Sequence, residues 1–143
     1  MSQSSMDYRH LRNITAAIIL VHLIVSLIHG YAHTQALVTL STVGQIYVLV
    51  VIFLAPLLGF ALLYSRRLKT GALLAGLSLA GSFVFGLIYH FLLPGNDNVT
   101  SVHGEWHMMF LWTAVFLAVL ELVGTLTAFW LYQSLSRSLQ ANN

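Results

Sequence analysis

Histidine is the residue through which this chain can do chemistry. Seven imidazoles stand among only six basic and four acidic side chains, and cysteine is absent. Residues 22–33 read HLIVSLIHGYAH and carry three of the seven, at separations of seven and four. At 3.6 residues per turn His22, Ser26, His29 and His33 share one helix face, while Ile24, Val25, Leu27 and Ile28 fill the other sides. A polar stripe on a helix in lipid is costly unless it faces protein, water or a ligand. This stripe therefore marks where any activity would sit.

The chemistry that such residues offer is metal ligation. Two pentapeptides echo each other, HGYAH from His29 to His33 and HGEWH from His103 to His107. Each sets two imidazoles at i and i+4, the spacing by which one helix offers two ligands to one metal. The glycine after each first histidine leaves space beside the ligands, at some cost in helix propensity. HGEWH is not the HExxH of zinc proteases, because Glu105 is displaced by one position. Without cysteine there are no disulfides, thiolate sites or cysteine nucleophiles. His90 joins the candidate ligands, and Asp97 and Glu105 are the carboxylates able to orient them from behind.

The elements that must position these residues are transmembrane helices. Of the 143 residues 58% are hydrophobic and 7% charged, against about 25% charged in a soluble domain. The expected fold is all-α and integral to the membrane: an antiparallel four-helix transmembrane bundle with spans at 14–33, 43–64, 72–93 and 105–132. These make one domain, 14–133, between a short N-terminal segment, 1–13, and a polar tail, 134–143. The first span is longer than a signal-peptide core and lacks a cleavage site, so it is retained. Pro56 predicts a kink in the second, with Gly59 allowing close packing one turn on. In the third, Ser78, Ser82 and Gly86 recur every fourth residue and lead to His90; they make either a packing face or a face kept thin for a cofactor. Pro94-Gly95 ends it. Ser101 is the expected N-cap of the fourth span, with Glu105 near its positive end. Trp106, Trp112, Trp130 and Tyr132 suit interfacial belts.

All six basic residues fall on one side of this layout. Arg9 and Arg12 precede the first span, Arg66, Arg67 and Lys69 lie between the second and third, and Arg137 follows the fourth. The positive-inside rule then makes both termini cytoplasmic, in what reads as a bacterial plasma membrane. The same topology gathers His29, His33, His90, His103 and His107 at the outer face, together with Asp97 and Glu105. His10 stays on the opposite side.

A second polar element lies deeper. Glu121 is 14 residues, about 21 Å, below His107, and His22 is 11 residues, about 16 Å, below His33. Eighteen residues, five helical turns, separate Glu121 from His103, which puts it on the face of the outer histidines. A mid-bilayer acid costs roughly 2.5–3.5 kcal/mol on insertion scales, and His22 is the ionisable partner at its depth.

Four functions follow. The first is binding of a transition metal ion (Zn, Cu or Fe) through His29, His33, His90, His103 and His107. The second is a b-type haem or chlorin electron-transfer protein, with His29 or His33 facing His90 or His107. The third is a proton or metal transporter working through Glu121 and His22. The fourth is an accessory or scaffold subunit of a larger membrane complex, or a homo-oligomer, with no cofactor. The partner common to all is the lipid bilayer; the net charge of +2 implies no nucleic-acid surface. Nothing in the sequence decides whether the chain is an enzyme.

Overall fold

A computed structural model describes residues 3–141, and all regular structure among them is helical. The helices are α1 (Gln3–Gln35), α2 (Thr42–Leu63), α3 (Leu68–Leu92) and α4 (His107–Ala141). Each contains a stretch long and apolar enough to cross a bilayer: Tyr8–Gln35, Thr42–Leu63, Leu68–Leu92 and His107–Ser138. α1 and α4 continue as helix into the polar segments 3–13 and 134–141.

α4 packs against both α1 and α3, and α2 lies chiefly on α3. At one end the contact is an apolar core of Ala16, Ile19, Leu63, Ala75, Leu79 and Leu131. Small side chains let α2 and α3 close tightly there. A Cβ on Gly71 would stand 2.7 Å from the backbone nitrogen of Leu63 and 2.8 Å from the carbonyl carbon of Leu62. Around this end Arg12 lies over the Tyr64 ring at 4.6 Å and Lys69 over the Tyr132 ring at 5.1 Å. Leu27, Leu54, Leu77, Trp112, Leu126 and Trp130 are exposed on the outer surface, as lipid contact requires.

Two helices depart from α geometry. Pro56 has no N–H to give to the carbonyl four residues back, and its ring crowds that turn. Val48–Leu54, just before it, adopts π-helical i→i+5 bonding, so the disturbance is a widened helix. The last six residues of α3, Leu87–Leu92, are also π-helical, and His90 is among them.

Candidate metal centre

On α1 the stripe of His22, Ser26 and His29 is buried and His33 is partly so. His29 and His33 are one turn apart and turn the same edge inward, their Nε2 atoms 3.2 Å from each other. α3 supplies the third ring: His90 Nε2 lies 3.2 Å from His29 Nε2. One ring nitrogen from each of the three histidines lies within 4.8 Å of the others. Phe110 of α4 packs on all three rings at centroid distances of 4.8–5.4 Å. With Ala32, Val38 and Val102 it forms a small apolar cluster beside the site.

The remaining ring nitrogens determine what the Nε2 atoms can do. Thr113 donates its hydroxyl proton to its own helix, 2.6 Å from the Met109 carbonyl. It can therefore only accept from His29 Nδ1, 2.7 Å away. His90 Nδ1 donates to the Asp97 backbone carbonyl at 3.0 Å. In their neutral form both rings then carry the proton on Nδ1 and present Nε2 lone pairs to each other. Two lone pairs at 3.2 Å repel unless a cation stands between them. A single proton would join only two of the nitrogens, whereas a metal ion satisfies three or more. A tetrahedral ion with metal–nitrogen bonds of 2.0–2.1 Å spaces its ligands about 3.3 Å apart, close to what is seen.

Asp97 completes the constellation. Its Oδ1 lies 3.3 Å from His33 Nε2 and 3.2 Å from His90 Nδ1, yet both carboxylate oxygens are buried without a hydrogen bond. A carboxylate is costly to bury charged, and a cation at the histidines would offset that cost. His33 Nδ1 is likewise buried and unpartnered.

Local sequence explains how Asp97 arrives there. Pro94-Gly95 stops α3, Asn98 Nδ2 donates to the Leu93 carbonyl at 3.0 Å, and the Val99 N–H donates to the His90 carbonyl at 2.9 Å. The loop folds back over the helix end and returns Asp97 to His90.

His103 and Glu105 are exposed, and His107, half-buried, opens α4; none of them belongs to the three-histidine group. HGEWH lacks the helix that its i, i+4 spacing presupposes. Gly104 has φ +90°, a left-handed conformation that glycine tolerates, and α4 starts only at His107. Ser101 accordingly lies in a turn six residues upstream of the helix, and the five-turn relation between His103 and Glu121 has no helix to act through. His10 is exposed on α1, far along the helix from the site.

Below the centre, Glu121 Oε1 stands 3.0 Å from His22 Nε2, both residues being buried. Ser26 Oγ lies 3.5 Å from the same nitrogen. Of the small residues on α3, Ser78 is packed in the core and bonds its own helix. Ser82, which also bonds its own helix, and Gly86 border a cavity of about 510 Å³ whose lining includes the histidines and Glu121.

Thr113 is the one functional group that the sequence reading passed over. Its signal was present: Thr113, Leu117 and Glu121 follow one another at four-residue steps, which puts a hydroxyl on the polar side of α4.

The fold and the site define a protein of four helices long and apolar enough to span a membrane, with a buried three-histidine constellation that could hold a metal ion. No protein-family model matches the chain, and no curated protein or solved structure is significantly similar to it.

Proposed function

We infer that this chain holds one transition metal ion between His29, His33 and His90, with Asp97 as a fourth donor or an immediate neighbour. The single observation that carries this reading is the meeting of the His29 and His90 Nε2 atoms at 3.2 Å, each ring having its Nδ1–H bonded elsewhere. Such outer partners are how proteins fix the tautomer of a ligating histidine. Three imidazole nitrogens, two pairs of them 3.2 Å apart, suit Zn(II), and the same donors accept Cu or Fe.

The surrounding architecture in this reading is an antiparallel bundle with both termini cytoplasmic and the metal near the extracytoplasmic ends of α1 and α3. It rests on the confinement of Arg9, Arg12, Arg66, Arg67, Lys69 and Arg137 to one side of the spans. A bacterial plasma membrane fits that charge asymmetry.

Haem fits less well. Two axial nitrogens on opposite sides of one ion stand about 4 Å apart, twice a metal–nitrogen bond. The 3.2 Å separation is that of adjacent ligands instead. Transport draws support from the cavity between the centre and Glu121. The scaffold reading gains no specific observation.

Elemental analysis of the purified protein in detergent, with a visible spectrum, tests the assignment. One equivalent of a transition metal without a Soret band is expected, and His90→Ala should abolish it. Full metal content in His29→Ala and His90→Ala would refute the centre.

A further inference from the structure

The cavity beside the three histidines has the shape and lining of a ligand site. Its volume of about 510 Å³ lies within the range for small-molecule pockets. His29, His33 and His90 border one end, and Ser26, Ser82 and Glu121 the other. His90 Cδ2 and Glu121 Oε2 stand close across Gly86, since a Cβ there would lie 3.7 Å from the one and 3.9 Å from the other. Between these ends the walls are apolar, from Val48, Ile52 and Phe53 on α2, Phe85 on α3 and Leu117 on α4. A cavity so lined favours an apolar occupant over water.

Each end presents an unspent polar group. At the outer end it is the metal, which His29, His33 and His90 approach from the protein side. At the inner end it is Glu121. Its Oε1 is taken by His22, whereas Oε2 makes no hydrogen bond among the described residues. Gly86 lines the space between centre and carboxylate, where a larger side chain would intrude. Gly30 and Gln45, both exposed, also border the cavity, which opens between α1 and α2 on the side that lipid covers.

We propose that this cavity binds a small uncharged lipophilic molecule, which places a nitrogen or oxygen donor on the metal and a hydroxyl-type hydrogen-bond donor on Glu121 Oε2. The inference rests on the metal reading and adds the class of ligand that the metal meets. Charge is excluded by the apolar walls, since desolvating an ion there has no compensation along the cavity.

The test uses the full-length protein in detergent, loaded with Co(II), whose visible absorption reports its coordination. The probes are 4-(imidazol-4-yl)phenol, 4-phenylimidazole and imidazole. The phenol should perturb the cobalt spectrum, and 4-phenylimidazole should bind at least about tenfold more tightly than imidazole through burial of its ring. The phenol should exceed 4-phenylimidazole by about tenfold, and Glu121→Gln, which turns an amide donor or a shared oxygen to the cavity, should erase that margin. Gly86→Leu and Ile52→Trp fill the cavity from two walls. Each should weaken both aromatic probes at least about tenfold while cobalt content stays at one equivalent; two independent variants guard against misfolding of either. Equal binding of imidazole and the aromatic probes, unchanged binding in both filled variants, or a cobalt spectrum insensitive to every probe would overturn the ligand site and leave the metal centre standing. Failure of the wild-type protein to take up cobalt would overturn the metal reading, and the ligand site with it.

Discussion

His29 and His90 meet Nε2 to Nε2 at 3.2 Å, although they lie 61 residues apart and on different helices. Each ring has its other nitrogen bonded, to Thr113 and to the Asp97 carbonyl respectively. Two imidazoles so committed have only lone pairs to turn on each other. A metal ion between the rings would satisfy both, and the proposed function rests on this contact.

Removing a ligand should remove the metal. His29→Ala and His90→Ala are expected to lose bound metal in elemental analysis, and His33→Ala to lose most of it. His10→Ala, His103→Ala and His107→Ala should keep wild-type content, since none of these rings is in the group. Loss on His107→Ala with retention on His90→Ala would move the centre to α4.

Thr113 should matter without touching the metal. Thr113→Val keeps the shape of the side chain and leaves His29 Nδ1 without its acceptor. Affinity should fall about 10–100-fold, as is usual when an outer partner of a ligating histidine is removed. Competition with a chelator of known affinity measures this, and unchanged affinity would mean that His29 is oriented by packing alone.

Glu121 and His22 should be energetically coupled. Glu121→Leu leaves His22 buried without its partner, at a cost of about 1–3 kcal/mol. Because either loss strands the other group, the double variant should be less destabilised than the two single variants summed, by about 0.5–3 kcal/mol. Glu121→Gln should be mild. Strict additivity in a thermal-stability cycle would show that the bond contributes nothing.

Gly71 should resist even the smallest side chain. Its Cβ would collide with the backbone of Leu62 and Leu63, which cannot rotate away as a side-chain tip can. Gly71→Ala is expected to cost about 1–3 kcal/mol, seen as a lowered melting temperature with metal stoichiometry intact.

The bundle's orientation is tested with reporters. Fusions after Tyr132 should fluoresce as cytoplasmic proteins do and show no periplasmic phosphatase activity. The reverse pattern would place the histidine centre on the cytoplasmic side.

Four helices, their approximate spans and the polar stripe of α1 were legible in the sequence. Each depends on composition and on a period of 3.6 residues, which act within one segment and need no knowledge of its neighbours. Depth was legible for the same reason: a fixed rise per residue ranks His22 and Glu121 together, and they lie 3.0 Å apart. Which imidazoles share a centre was not. HGYAH and HGEWH look alike as strings, but only the first lies in a helix, because Gly104 takes a left-handed turn and α4 begins at His107. His90 reaches His29 from a π-helical turn, and Asp97 reaches His90 through a loop held by Asn98 and Val99. Thr113 fixes a ring carried by another helix. Widened turns and folded loops have no period to read. They are settled by contacts between distant parts of the chain, and so only the tertiary structure brought together His29, His33 and His90 out of the histidines that the sequence gathers at one end of the bundle.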